Sequence, residues 1–302
     1  MTKRKVSKIG PSTLMISLPS KWVKEYGVKK GDELDIEAIG RHLSIEVPGL
    51  RKGEVLEIDL DGLNANLIRY IVYAAYRNGG SEIKLKFSSS SVVDNNKEGM
   101  KVPTLEVIGD VVDTLVGVEI ISQKNDYCLL KEISSVNHEE FLNTLRRIFI
   151  TLVNTTSDIK DSIDSKNKTI LKRINNISDK NLNKLCDFCF RVISKGGIVD
   201  NRKAPHYHSI ISSLEEIGDS LKEIAGLAEK NLSKPSLLDA MHDLLEKMYR
   251  LFCNYKKETV VDVYELKRNI KKIGGKHYSN KQFLDICKEC SNLMSEIIAL
   301  NM

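Results

Sequence analysis

SKIGPSTLMISLPSKWVKEYGVKKGDEL, residues 7–34, decides how the chain begins. Leu14, Ile16 and Leu18 alternate with Met15 and Ser17, a period-2 pattern that predicts a strand. Pro19 then suits the opening turn of a helix. Trp22, Val23 and Tyr26 share one face of that helix, and Gly27 stands where a C′ residue belongs. Gly31-Asp32 turns the chain into a second alternating run (Leu34, Ile36, Ala38), and Gly40-Arg41 turns it into a third (Leu43, Ile45, Val47). A unit of this size, residues 1–49, has too few apolar side chains for an independent core. It is expected to fold as an intertwined dimer or to lean on its neighbours.

The charge is as local as the pattern. Of 302 residues with a formal net charge of +5, the first 30 hold Lys3, Arg4, Lys5, Lys8, Lys21, Lys24, Lys29 and Lys30 against Glu25 alone. Basic charge concentrated in one small unit is the footprint of a polyanion-binding module. No segment approaches the roughly 18 unbroken apolar residues of a membrane span, since LIRYIVYAAYR at 67–77 is interrupted by arginine and tyrosine. The N-terminal charges are followed by no apolar export segment, so a cytoplasmic location is expected. Six cysteines in a chain of this length do not read as a disulfide scaffold.

Residues 50–135 read as a small α/β domain, an open sheet with two helices on one face. VLEIDL (55–60) and EIKLKF (82–87) are strands, LNANLIRYIVYAAYRNGG (63–80) is a helix closed by glycines, and SSSSVVDNNKEGMKVP (88–103) is a polar loop. IGDVVDTLVG (108–117) reads as the second helix, and VEIISQ and YCLLKEI as a closing β pair. Residues 136–302 are helical by heptad-like apolar spacing over 139–164, 168–195, 205–230, 236–257, 259–273 and 280–301. Six helices with short connections predict an all-α region of two three-helix halves.

Within it, Glu215 and Asp219 stand four apart and share a helix face, about 6 Å apart at Cβ. Gly218 beside them weakens a helix by up to about 1 kcal/mol relative to Ala, which asks for a close approach by another helix or a ligand. Asp179 and Asn183 repeat the spacing one helix earlier, so two such helices face to face would offer four oxygen groups to a metal ion. Ordinary solvated faces account for such pairs equally well. The pairs CDFC (186–189) and CKEC (287–290) invite a zinc or redox reading. Each, however, falls inside a helical stripe where cysteine serves as a small hydrophobe. His206 and His208 lie at a helix start, as surface residues or as additional ligands. No phosphate-binding glycine loop, dinucleotide fingerprint, GxSxG elbow or HExxH pair occurs, and catalysis is not expected.

Two resemblances organise these parts. RKVSKIGPSTLMISLPSKWVKEYGVKKGDELDIEAIGRHLSIE (4–46) resembles the SpoVT/AbrB-type swapped-hairpin DNA-binding domain, with a basic strand, a Gly-Ser/Thr turn, the SLPxxWV helix and a KKGDE turn. IGPST departs from it where the family often carries a second glycine or serine. LEEIGD (214–219) nearly spells the LERIGD signature of the PhoU family of phosphate-uptake regulators. That resemblance implies a metal site, a divalent or ferric ion (Fe, Zn, Mn or Mg), held by Glu215 and Asp219 with Asp179 and Asn183, where Asp179 replaces the family's usual Glu. Glu265 with Asn269 and Asp285 with Glu289 stand at the equivalent, degraded positions of the second half. The whole order, an AbrB-like head, an α/β middle and a PhoU-like tail, resembles the archaeal type of PhoU-related regulator.

The resemblance implies a multidomain protein with an N-terminal swapped-hairpin β-barrel formed by a homodimer, a DNA reader whose helical region is its sensor. Arg4, Lys5, Lys8, Ser12, Thr13, Lys21 and Lys24 are the candidates for contact with duplex DNA. Trp22, on a face with Val23 and Tyr26, is expected to pack rather than to stack on bases. Three other classes stay open. One is an adaptor that contacts a phosphate transporter ATPase or a signalling kinase, its head serving dimerisation. Another is a general chromatin or antitoxin-like DNA binder. The third, more distant, is an enzyme.

Overall fold

The computed structural model describes residues 3–39, 42–47, 55–134, 136–174, 179–229, 235–274 and 281–302. Of residues 37, 39, 42, 44, 46, 179, 180, 229, 235, 236 and 274 it describes the backbone alone. The chain divides into two compact units, Met1–Val55 and Leu56–Met302.

The first unit holds two antiparallel hairpins and one short helix. β1 (Ser7–Ile9) pairs with β2 (Thr13–Met15), Lys8 opposite Leu14 and Ile9 opposite Thr13, across a turn in which Gly10 has φ 76°. α1 (Ser20–Glu25) follows Pro19 and ends as the sequence predicts. Gly27 takes φ 64°, and the Val28 amide donates back to the Val23 carbonyl at 3.0 Å, the long bond of a Schellman cap. β3 (Asp35–Ile39) pairs with β4 (His42–Glu46). Within one chain these remain two separate two-stranded sheets. None of this unit's described side chains is buried, and Leu14, Ile36 and Leu43 are each about two-thirds exposed.

The second unit is built on two apolar clusters. β5 (Leu56–Asp59), β6 (Glu82–Lys86), β9 (Val118–Gln123) and β10 (Tyr127–Glu132) form a sheet in the order β5-β6-β10-β9. The first pair is parallel and the others antiparallel. The parallel pair requires a crossover, supplied by α2 (Ala65–Arg77), whose N-cap Asn64 accepts from the Leu67 amide. α2 and α3 (Thr104–Val112) bury Ile68, Val72, Tyr76, Ile108 and Val111 with the inward sheet row Ile83, Leu85, Cys128 and Leu130. The outer row carries charge instead, Glu57 pairing with Lys84 and Lys86. The expected one-faced sheet with two helices is therefore present.

The stretch expected as a polar loop is a hairpin. β7 (Ser91–Asp94) pairs with β8 (Met100–Pro103), and α3 starts at Thr104, four residues before its apparent start. Serine and asparagine hide the pattern, because only Val92 and Val102 reach the core. The hairpin is pinned by Asp94, whose buried carboxylate takes Arg69 at 2.7 Å and the Asn96 amide at 3.0 Å; the Arg69 hydrogen bond holds its carboxyl below the usual range.

The helical region comprises α4 (His138–Asp164), α5 (Lys168–Arg173), α6 (Asp179–Lys195), α7 (Ala204–Glu229), α8 (Pro235–Cys253), α9 (Lys257–Gly274) and α10 (Lys281–Leu300). The segment expected as one helix over 168–195 is thus α5 and α6, with 175–178 outside the described residues. α4 opens on a capping box, Asn137 and Glu140 satisfying each other's backbone amides. α4, α6 and α7 pack together, as do α8, α9 and α10, while α4–α8 and α7–α10 contacts join the groups over one continuous core. Each large apolar side chain sealed there contributes about 1.5–3 kcal/mol.

Candidate functional site

In the N-terminal unit, Arg4, Lys5, Lys8, Ser12, Thr13, Lys21 and Lys24 are all exposed, and none of these cations makes an ion pair among the described residues. Lys8 shares a face of the β1–β2 hairpin with Leu14, Ser12 sits in the turn, and Lys21 and Lys24 lie one helical turn apart on α1. Glu25 is the one acid of the β1–β2 hairpin and α1, and Asp32, Glu33, Asp35 and Glu37 follow later, so the hairpin and α1 form the more cationic part and β3 the more anionic part. Unpaired exposed cations on short hairpins and a helix can meet phosphates without first breaking internal ion pairs. Trp22 is half-buried with its ring 5.4 Å from that of Tyr26, a packing role as expected.

The acidic helix face lies in the second unit, and its reason for Gly218 is plain. A Cβ at Gly218 would stand 2.0 Å from Leu182 Cδ2, so glycine is what lets α6 close on α7. Glu215 is half-buried, and its partner comes from the α/β part: Arg77 Nη2 donates to Glu215 Oε1 at 3.4 Å, while Arg77 Nε donates to Asp187 Oδ1. The guanidinium also lies 5.0 Å from the Phe190 ring centre. Burial pushes the Asp187 and Glu215 carboxyls above the usual range, and Arg77 holds both down in part.

Asp187 and Arg77 are the residues sequence reading missed. Asp187 continues the row Asp179, Asn183 at the same four-residue step, a signal present in the sequence, whereas Arg77 is 110 residues away from Asp187 along the chain. Next to them, Arg191 is 2% exposed and donates to the carbonyls of Tyr76 at 2.8 Å and Gly80 at 2.9 Å, closing the C-terminus of α2. Gly79 has φ 87°, and a Cβ there would stand 2.7 Å from Lys195 Cγ, so α2 ends directly against α6. Lys195 in turn donates to both oxygens of Glu132.

The four expected metal ligands are only partly brought together. Asn183 Oδ1 is buried with no hydrogen-bond partner, an acceptor suited to a cation. Asp219 follows Gly218 on the facing helix, and the Asp179 side chain lies outside the described residues. Glu215 already has Arg77 as its cation. Among the described residues, no three His, Cys, Asp or Glu side chains are grouped to hold a metal ion. Of the degraded positions, Glu265 pairs with Arg268, and Glu289 accepts from Ser213 at 3.0 Å and Asn292 at 3.1 Å. His206 Nδ1 is 2.6 Å from Glu296 Oε2, and the His208 ring packs 4.8 Å from Phe190.

Cys186, Cys189, Cys287 and Cys290 are all sealed in the helical core, where burial pushes every thiol up, that of Cys287 to about 11. Packed among leucines, isoleucines and phenylalanines, they fill the core as small hydrophobes. No helix among the described residues is long and apolar enough to cross a membrane.

Residues 8–43 match the family model of the antidote-toxin recognition protein MazE, a bacterial antitoxin. Among solved structures, the chain is similar to the phosphate transport system regulatory protein PhoU from Streptococcus pneumoniae. The two share 18% identity, the match covers 54% of this chain and 90% of that one, and the TM-score is 0.38. No curated protein matches the chain. The N-terminal module is thus MazE/AbrB-like, as its sequence leads one to expect.

Proposed function

We propose that the protein is a DNA-binding transcriptional regulator of phosphate uptake and phosphate homeostasis, read out through a helical sensor or adaptor region. The observation that carries this reading is the first unit itself, a MazE-like module with exposed, unpaired cations and no buried side chain among its described residues. A folded unit needs a core, and a second copy would supply one by covering Leu14, Ile36 and Leu43. Interleaving the two copies would close the hairpins into a swapped-hairpin barrel. Pairing also doubles the cationic surface and gives it the two-fold symmetry that suits duplex DNA. Arg4, Lys5, Lys8, Lys21 and Lys24 would contact phosphates or bases, and Ser12 and Thr13 would donate to phosphate oxygens.

The link to phosphate uptake rests on the LEEIGD signature at 214–219. A divalent or ferric ion on the α6–α7 face would take oxygen donors from Asp179, Asn183 and Asp219, and Glu215 would join only by leaving Arg77. The test is fluorescence anisotropy with duplex from the gene's own upstream region and a scrambled control, at several salt concentrations. The expected result is salt-sensitive binding that prefers the native duplex and vanishes in a chain beginning at Leu50. Equal weak binding by both chains would reduce the head to a dimerisation device and favour an adaptor that acts by protein contact.

A further inference from the structure

An open cleft of about 750 Å³ runs between α4 and α6, with its rim at the end of the sheet domain. That is the size of a site for a small organic molecule. Its direction can be followed along the helices. His138 Nδ1 lies 3.0 Å from the Ile198 carbonyl, and Thr151 and Leu152 line a small gap with Leu182, so α4 and α6 run in opposite senses. Thr151 on α4 therefore lies level with Asn181 and Lys184 on α6, Arg147 lies one turn further on, between the levels of Lys184 and Phe188, and the first turns of α4 lie beyond Phe188.

The two ends differ in chemistry. Arg147 and Lys184 make no ion pair among the described residues, whereas Arg77, Lys160 and Lys195 on or beside the same bundle each have a carboxylate. The one acid lining the cleft, Glu140, is held by the helix start, where it accepts from the Asn137 amide at 3.3 Å. The Thr151 hydroxyl donates to the Arg147 carbonyl at 2.8 Å, which leaves its oxygen to accept from a ligand. Past Leu185, the other end is walled by Phe188, Val136 and Val116. Two uncompensated cations at one end of an apolar slot suit an anion carrying a flat or apolar body.

We propose that this cleft binds a phosphorylated small molecule of mononucleotide size, its phosphate between Arg147 and Lys184 and its base against Phe188 and Val136. The site belongs to the second unit alone, so it stands whether or not the first unit binds DNA.

Isothermal titration of the full chain with AMP, with inorganic phosphate and with adenosine separates the two halves of the claim. AMP is expected to bind at least tenfold more tightly than either fragment. The pair Arg147→Gln and Lys184→Gln is expected to weaken AMP at least tenfold. Unfolding temperature and DNA binding should not change, because both side chains point into solvent-open space. Arg147→Lys should retain most of the affinity. Failure of AMP to bind, AMP binding no tighter than phosphate or adenosine, or binding indifferent to the double substitution would each overturn the proposal.

Discussion

The two compact units meet the same physical requirement in opposite ways. Leu56–Met302 seals Tyr76, Phe141, Phe283 and rows of Leu and Ile at 2% exposure or less, while Met1–Val55 leaves Val6, Leu14, Ile36 and Leu43 more than half exposed. The larger unit has enough interior to fold alone, and the smaller has strands, turns and a capped helix but no buried side chain among its described residues. Local sequence signals can specify elements without specifying where their apolar faces go. For the first unit, the proposed dimer places that second piece of information outside the single chain.

The largest expected effect breaks the units apart. A chain beginning at Leu50 should keep its thermal unfolding within a few degrees of the full chain and lose DNA affinity by about a hundredfold or more. Single Lys8→Ala or Arg4→Ala changes should each lower the salt slope of binding by about 1. A truncated chain that unfolds would show that the second unit is not self-sufficient.

Next in size is the ion cluster that fastens the sheet domain to the bundle. Arg77→Met leaves the buried Asp187 and the half-buried Glu215 without their cation. A fully buried pair broken in this way costs about 3–5 kcal/mol, but Arg77 is 40% exposed. Water screening should bring the loss down to about 2–3 kcal/mol in denaturant titrations.

The pH dependence has a definite sign. Burial raises both carboxyl groups, so between the ordinary carboxylate range and the raised values the native state holds more protons than the unfolded one. Their contribution is fully present at low pH and is lost as pH rises through the raised values. Arg77→Met removes a charge that lowers both groups, so the variant should lose more stability at pH 7 than at pH 5. An equal loss at both would contradict the assignment.

Gly218→Val tests the helix contact and should cost about 1–3 kcal/mol by overpacking. The combination with Leu182→Ala should cost less than the sum of the two single changes, because the methyl that collides is gone. The smallest effect is chemical. A thiol reagent should modify Cys253 in the native protein and reach the other five only on unfolding, since they alone are buried. Rapid reaction at Cys287 or Cys290 would revive the redox reading.

What the sequence disclosed follows the range of the interactions involved. The heptad stripes of α4 and α7–α10, the Schellman end of α1 at Gly27 and the helix contact implied by Gly218 are local or nearly local, and all were legible. The β7–β8 hairpin was not, because Asp94 is bought into the interior by Arg69, a partner 25 residues away. Nor could spacing reveal that Glu215 meets Arg77, 138 residues distant along the chain.

The central claim is that the first unit obtains its interior from a second copy of the chain. Sedimentation equilibrium of the full chain and of the chain beginning at Leu50, over a wide concentration range, tests it directly. A dimer for the full chain and a monomer for the shortened one is the predicted result. A full chain that stays monomeric with a folded N-terminal unit, or a shortened chain that dimerises as strongly as the full one, would contradict it.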